Sequence, residues 1–354
     1  MIQVIEILIV STCLIPLIYF YSVIFVKGYY DLYRLYLSIK TNIKKYLLIY
    51  ISKISLLILS IAFTIALGYV YGLIFAILNT VLSLLIIPKS FIKVTRRFLF
   101  QNLISDFIVT CLTVLSLTIK SEIGYVFLVP EVLIVSSVIL SYYINYPIEE
   151  IIRTYYLKKA KNKIKQANNL KIIGITGSYG KTTVKNFLAE FLSNKCVLVS
   201  PGNVNTLMGL TKFINNCLTP FDEYLVVEIG VDKLNGMKKY KRLLNLDYAV
   251  ITSVGPQHLL TLKSIENVYK VKTDIAYLLK KDGTLFYNSD SVSYSKKFSG
   301  LKTVSFSSND YKIISKNGEP AIVNFDDISI KTRLHFDSSV LNAYCAYEIA
   351  KTIG

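Results

Sequence analysis

The sequence lacks any CxxC pair, and its five cysteines are scattered singly along 354 residues. An odd number of isolated cysteines argues for a reducing compartment and against a disulfide framework or a cysteine-based zinc site. Histidine is scarcer still, with two residues in the whole chain. Each histidine must therefore be judged from its own sequence context.

Acidic residues are also few, 23 against 40 lysines and arginines, which gives a net charge of +17. A nucleic-acid-binding module would interleave these basic residues with aromatic ones. The densest basic run, 158–165 (KKAKNKIK), instead follows the last of several apolar segments. Membrane proteins place positive charge at such a position, facing the cytoplasm and anionic lipid. We therefore expect a membrane partner and no nucleic acid.

The first 147 residues contain few polar side chains and five apolar segments of about the length that spans a bilayer. These segments are 3–26, 48–68, 70–88, 102–119 and 124–146. The first has no basic start and no small-residue cleavage site, which favours an anchor over a signal peptide. Basic residues in alternate connections predict an outside N-terminus and a cytoplasmic remainder.

The sequence thus predicts a multi-pass protein of the cytoplasmic membrane. Its three parts are an all-α membrane region at 1–147, a basic linker helix at 148–169 and a cytoplasmic α/β domain at 170–354. A transporter is one alternative, because charge inside a membrane segment usually has a function. However, Glu131 is alone at depth, and one carboxylate makes no relay. An ATP-driven transporter would also need a Walker B strand ending in Asp and an ABC signature, which the sequence does not have.

A phosphate-binding loop is the strongest feature of the second half. The apolar run 170–176 (LKIIGIT) is typical of a buried parallel strand, 177–182 (GSYGKT) of a glycine loop, and the apolar spacing from Val184 of a helix. Backbone N–H groups of such a loop point at one place, where the helix dipole favours an anion. The order strand, loop, helix therefore predicts a site for a nucleoside triphosphate.

The side chains of the loop fit this chemistry. Gly177 and Gly180 let the backbone approach phosphate, Lys181 supplies positive charge, and the hydroxyl of Thr182 can ligate Mg²⁺. The spacing departs from the general pattern GxxxxGK[ST], because Ile175 stands where the first glycine belongs. 

Residues 173–185 (IGITGSYGKTTVK) resemble the ATP loop of the Mur ligase family, which has this glycine spacing. Four further stretches resemble family segments in the family's order. They are 200–210 (SPGNVNTLMGL), 226–244 (VVEIGVDKLNGMKKYKRLL), 247–275 (DYAVITSVGPQHLLTLKSIENVYKVKTDI) and 283–290 (GTLFYNSD). The resemblance covers about 170–354 and is greatest to the branch that acts on UDP-N-acetylmuramoyl-tripeptide and D-alanyl-D-alanine.

The resemblance implies a mostly parallel sheet, ATP and Mg²⁺ as cofactors, and an amide-forming reaction. ATP phosphorylates a carboxylate, an amine attacks the acyl phosphate, and phosphate leaves. Because an anionic acid must approach an anionic γ-phosphate, this chemistry requires cations at fixed places. The implied substrates are a UDP-muramoyl peptide and an amino acid or dipeptide. Folate and poly-amino-acid ligases share the same core and stay open as alternatives.

Roles for single residues follow from the resemblance. The catalytic set is Lys181, Lys272 and His258, and the implied Mg²⁺ ligands are Thr182, Glu228, His258 and Lys272 as a carbamate. The other implied nucleotide-binding positions are Gly177, Ser178, Gly180, Thr183, Asn203, Asn288 and Asp290. Independently of the family, Glu228 ends the run YLVVE, at the strand edge where α/β sites form.

The resemblance is weakest near the end of the sequence. Residues 334–350 resemble a family helix whose His-Asn pair is replaced here by Ser338 and Ser339, either of which we expect to cap the helix. A β-rich piece is predicted at about 302–334. Family members continue with a domain that would begin after Gly354. We therefore expect a longer reading frame, a partner chain that supplies this domain, or a membrane-anchored nucleotide-binding protein that no longer ligates.

Overall fold

The computed structural model describes residues 104, 107–108 and 125–354, except 168, 203, 294–297, 315–320, 327, 333 and 335. Contacts divide the chain into two units, Met1–Ile151 and Ile152–Gly354. The first four predicted membrane segments lie wholly or almost wholly outside the described residues. Within the described part, no helix combines the length and the apolar character that crossing a bilayer requires. The membrane region stays a prediction.

The linker helix predicted at 148–169 is the C-terminal part of one long helix, α1 (Tyr125–Gln166). Leu157 and Ala160 are buried in the core of the second unit. Ile152 and Tyr155 point away from that core and are more than half exposed. The sequence predicted an apolar segment at 124–146 and a separate linker helix at 148–169, and the structure has one helix over most of both ranges.

A six-stranded sheet forms the centre of the second unit. Its strands are β1 (Lys171–Thr176), β2 (Val197–Val199), β3 (Tyr224–Glu228), β4 (Leu246–Ile251), β5 (Leu279–Asn288) and β6 (Lys302–Phe306), in the order β2-β3-β1-β4-β5-β6. Every neighbouring pair is parallel. Apolar residues on successive positions of one strand, such as Ile172 and Ile173, enter opposite cores, as expected for a sheet covered on both faces. The predicted α/β fold is confirmed.

Helices cover the two faces of this sheet. They are α2 (Lys181–Phe191), α3 (Leu207–Cys217), α4 (Leu259–Leu262), α5 (Ile265–Thr273), α6 (Asp337–Ile353) and the 3₁₀ helices Met237–Arg242 and Asp274–Leu278. One core contains buried residues of α1, α3 and α5, and the other contains those of α2 and α6. Ser264 caps α5 by accepting a hydrogen bond from the Asn267 N–H, which satisfies one of the donors that the first turn leaves unpaired.

The β-rich piece predicted at 302–334 is split between two sheets. Its first strand, β6, joins the main parallel sheet beside β5. The remaining strands, β7 (Tyr311–Ile314), β8 (Ala321–Phe325) and β9 (Ile328–Thr332), form a small antiparallel sheet. The prediction of β-strands at 302–334 is therefore confirmed. The division between two sheets was not predicted, because strand pairing is decided by neighbours far away in the sequence.

The predicted serine cap of α6 is also wrong. Phe336 occupies the N-cap position with an extended backbone, and no side chain caps the helix there. Ser338 and Ser339 lie inside the first turn, where the Ser339 N–H donates to the Phe336 carbonyl. Asp337 places a carboxylate in this turn, which favours the positive end of the helix dipole.

The strand order creates a crevice beside β1. This strand lies between β3 and β4, so the chain leaves it toward one edge and later returns on its other side. In parallel sheets the loops at the carboxyl ends of strands on either side of such a switch point diverge and leave room for a ligand. The loops that follow β1, β3 and β4 therefore surround one space at the carboxyl edge of the sheet.

Packing of α2 against the sheet should dominate the stability of this region. Leu188 of α2 is fully buried in the core shared with α6, so Leu188→Ala should lower the free energy of unfolding by roughly 2–5 kcal/mol. Asn186 on the exposed side of the same helix provides the control, because Asn186→Ala removes no buried group. Denaturant unfolding of the full chain measures both. Equal midpoints for the two variants would contradict the packing described.

Candidate functional site

The loop between β1 and α2 has a shape that two glycines make possible. Gly177 and Gly180 have φ values of 148° and 81°, which L side chains rarely adopt. A Cβ at Gly177 would lie 1.9 Å from Thr252 Oγ1, and one at Gly180 would lie 2.4 Å from Asn342 Oδ1. Both positions therefore require glycine, for space as well as for backbone conformation.

The loop is attached to the segment that follows β4. The N–H groups of Ser178 and Tyr179 donate to the carbonyl of Ser253, at 2.8 and 3.2 Å. The Ser178 hydroxyl donates to the Gly255 carbonyl at 2.9 Å, and Tyr179 Oη donates to the Pro256 carbonyl at 3.2 Å. Ser178, predicted to bind nucleotide, is buried and uses its hydroxyl to hold the loop in place.

Lys181 lies over the loop that precedes it. Its Nζ donates to the carbonyls of Gly177 and Ser178, at 2.8 and 3.1 Å. Partial burial lowers the pKa of Lys181, and the negative charge of Glu228 acts in the opposite direction. Thr182 and Thr183 belong to the first turn of α2. The Lys181 ammonium and the N–H groups of this turn therefore lie at the same end of the helix, where an anion would bind.

Glu228 is held at the carboxyl end of β3, beside β1. Its side chain is buried, and Oε2 accepts a hydrogen bond from the Thr182 hydroxyl at 2.8 Å. Its backbone N–H donates to Ser200 Oγ at 3.3 Å. The structure therefore brings together two of the side chains predicted to ligate Mg²⁺, and it places the charge of Glu228 within electrostatic reach of Lys181.

Lys272 reaches the same region from α5. It is 1% exposed, and its Nζ donates to the carbonyl of Val231, which follows β3, at 3.2 Å. Burial lowers the pKa of Lys272 to about 8, the charge of Lys181 lowers it further, and the charge of Asp232 opposes the shift. A solvated surface lysine is thereby excluded, and the lowered pKa makes the neutral amine accessible near physiological pH.

His258 is exposed and lies two residues after Pro256, on the segment that is hydrogen-bonded to the phosphate loop. It adopts a left-handed backbone conformation with φ 57° and begins the short helix α4. Its carbonyl accepts hydrogen bonds from the Thr261 and Leu262 N–H groups. Across the described ranges, no three His, Cys, Asp or Glu side chains form a metal-binding group. The ligand role of His258 stays a prediction.

Three further residues, Asn203, Asn288 and Asp290, were predicted to bind the nucleotide. Asn203 lies outside the described residues. Asn288 is buried at the end of β5, where its Nδ2 donates to Ser253 Oγ and its Oδ1 accepts from the Asp290 N–H. Asp290 is exposed, and its Oδ2 accepts from the Ser308 N–H at 2.8 Å. Both side chains thus hold a turn at the rim of the site.

Two further residues at the site were missed in the sequence analysis as functional candidates. Lys185 is 1% exposed and lies 3.6 Å from Glu228 Oε2. Ser200 supports the backbone of Glu228 from the end of β2. One sequence pattern could have indicated that Lys185 is buried at the site. It follows Lys181 by one helical turn and lies on the same face as the apolar Val184 and Leu188. Ser200 begins the stretch 200–210 that resembles a family segment, but nothing in the sequence indicates that its hydroxyl contacts the Glu228 N–H.

Comparison with known proteins agrees with this geometry. Residues 175–350 match the Mur ligase middle domain. The chain is 36% identical over 121 residues to the UDP-N-acetylmuramoyl-tripeptide–D-alanyl-D-alanine ligase of Bacillus subtilis, a match that covers 34% of this chain and 26% of that protein. It is 30% identical over 151 residues to the protein of the same name from Buchnera aphidicola subsp. Baizongia pistaciae, covering 42% and 33%.

Solved structures show the same fold. MurF ligase from Thermotoga maritima, crystallised in complex with ADP, is similar with a TM-score of 0.50 at 24% identity, over 56% of this chain and 49% of that one. MurF from Acinetobacter baumannii has a TM-score of 0.50 at 23% identity, over 56% and 46%. This chain thus spans about a third or less of the first curated relatives and about half of these structures.

Titration of Lys272 should make stability depend on pH. Its pKa of about 8 in the folded state lies below the ordinary 10.5, so between these values the unfolded state binds more protons. Stability therefore rises with pH through this window, as the cost of burying the ammonium disappears. In CO₂-free buffer, the unfolding free energy of the wild type should rise relative to that of Lys272→Met between pH 8 and 10.5.

The matched control is Lys270→Met, an exposed lysine of the same helix. Its difference from the wild type should stay constant over the same pH range. A constant difference for Lys272→Met as well would mean that this amine titrates at its ordinary pH despite its burial.

Proposed function

Because residues 175–350 match a Mur ligase middle domain, we propose that this chain carries the ATP site of an acid–amino-acid ligase. The observation that supports it most directly is the cluster of Lys181, Thr182 and Glu228 at the switch point of a parallel sheet. This cluster combines a phosphate-binding loop with a buried carboxylate. A ligase that proceeds through an acyl phosphate needs both, one for the triphosphate and one for its metal.

The proposed substrates are a UDP-muramoyl peptide and an amino acid or dipeptide such as D-alanyl-D-alanine. The relatives that match are named as ligases of these compounds. The match covers the ATP-binding part of those proteins, so the substrate class is inferred from the relatives and not from residues of this site. We propose that the product enters the synthesis of cell-wall precursors. Activity of this chain in the assay below, without added protein, would show that no partner chain is needed.

The residues of the site fit Mg²⁺, which is bound preferentially by oxygen ligands. Glu228 and Thr182 present a carboxylate and a hydroxyl oxygen at the loop that would hold the phosphates. Lys272 has a lowered pKa, and a neutral amine can add CO₂ and release one proton to become an anionic carbamate. His258 completes the proposed ligand set. When bound, Mg²⁺ would offset the negative charge that develops between the γ-phosphate and the attacking carboxylate.

The chain's own groups then have separate tasks. The loop N–H groups and Lys181 would bind the phosphates and keep the γ-phosphate oriented toward the attacking acid. Hydrogen bonds from Ser178 and Tyr179 to the segment after β4 keep the loop from changing shape. Because the site sits on strand ends of a buried sheet, its charges are positioned before substrates bind.

Phosphate release tests the proposal. The full chain, given Mg·ATP, a UDP-muramoyl tripeptide and D-alanyl-D-alanine, should release phosphate in a reaction that depends on both substrates. Lys181→Ala should reduce the rate by at least ~100-fold, because it removes the cation nearest the loop. Lys212→Ala, an exposed lysine of α3, should leave the rate unchanged.

The same assay separates the second candidate function, a nucleotide-binding protein without ligase activity. The replacement of the family's His-Asn pair by Ser338 and Ser339 favours this candidate. It predicts that ADP binds with Mg²⁺ but that no phosphate is released even when both substrates are present. Loss of nucleotide binding altogether would contradict both candidates.

We further propose that the chain is held at the cytoplasmic membrane with this domain in the cytoplasm. The five apolar segments of the sequence support the proposal. So does α1, where the exposed Ile152 and Tyr155 are followed by the exposed Lys158, Lys159 and Lys161. Apolar side chains beside lysines suit the surface of an anionic bilayer.

Membrane fractionation tests this location. The full chain should stay in the membrane pellet after an alkaline carbonate wash, which strips proteins that are bound by charge alone. Recovery of the full chain in the supernatant would contradict a multi-pass region.

A further inference from the structure

A buried lysine faces the carboxylate that is central to the site. Lys185 and Glu228 are 1% and 3% exposed, and their Nζ and Oε2 atoms are 3.6 Å apart. Lys185 lies between Val184 and Leu188 on the buried side of α2. A lysine in such a place is strongly disfavoured unless a partner compensates its charge. Glu228 is the carboxylate that does so here.

Lys185 also contacts a second element of the site. Its Nζ donates to the carbonyl of Gly202 at 3.0 Å. Gly202 belongs to the loop between β2 and α3, which we call the Gly202 loop (200–202 and 204–206). The same loop supports Glu228 from the other side, through Ser200. One ammonium thus connects α2, the end of β3 and the Gly202 loop.

We propose that Lys185 is a fixed internal cation that compensates the charge of the Glu228 carboxylate and fixes the Gly202 loop while no Mg²⁺ is bound. The inference rests on the proposed function in its metal part, since it assigns Glu228 to the metal. Lys185 restrains the same Oε2 that accepts the Thr182 hydrogen bond. The carboxylate therefore has two partners of its own, and its orientation does not depend on the metal.

The positive charge of Lys185 has opposite effects on the stability of the metal-free protein and on the affinity for Mg²⁺. A positive charge beside Glu228 stabilises the site without metal, but it repels the divalent cation that arrives there. Replacing Lys185 by an apolar residue should therefore lower the stability of the metal-free protein and strengthen the binding of Mg²⁺. A residue that merely filled space would change the first property without improving the second.

A double-mutant cycle tests the pairing in the absence of metal and nucleotide. Lys185→Met leaves Glu228 buried without its cation, so this variant should have the lowest melting temperature of the set. Adding Glu228→Gln should raise the melting temperature again, because both charges are then gone. Lys212→Met controls for loss of a lysine at an exposed site. A folded double variant beside an unfolded Lys185→Met supports the pairing equally.

Calorimetric titration of ADP at increasing Mg²⁺ tests the metal part. The Mg²⁺ concentration that gives half-maximal ADP binding should fall about tenfold in Lys185→Met relative to the wild type. An unchanged or higher midpoint would overturn the role as an internal cation. So would a double variant no more stable than Lys185→Met. A wild type that binds no ADP at any Mg²⁺ concentration contradicts the proposed function instead, while the metal-free cycle still decides the pairing.

Discussion

The contact between Thr182 and the buried carboxylate of Glu228 is the interaction on which the site depends. It joins the first turn of α2 to the end of β3, two elements that lie 46 residues apart in the sequence. Glu228 is buried, so its charge must be compensated by the protein. The phosphate loop, the lysines near it and the Gly202 loop are arranged around this requirement.

Two groups of contacts restrain the phosphate loop. From one side, Ser178 and Tyr179 are hydrogen-bonded to the segment after β4. From the other, Asn342 of α6 stands so close to Gly180 that no side chain fits there. A loop fixed in this way keeps its N–H groups oriented without a ligand, which lowers the cost of binding one. The same packing explains why α6, far from β1 in sequence, matters for the site.

Much of the site could be predicted because its signals are local. A β-branched run before glycines, Gly-Lys-Thr and a helical pattern appear in consecutive residues, and β1, the loop and α2 lie where they were expected. Glu228 at a strand end also follows from a short-range pattern, whereas the role of Lys272 came from the family resemblance. The matches to the Mur ligase middle domain cover this same part of the chain.

The order of the elements and the chemical identity of the loop follow from the sequence, because hydrophobic periodicity and glycine conformation act over a few residues. Which strands pair and which side chains contact each other depends on the tertiary structure. It paired β6 with the main sheet, buried Lys185 against Glu228, and pushed the pKa of Lys272 down. Each outcome depends on which distant side chains exclude water from a group, and burial of this kind is a property of the packed fold.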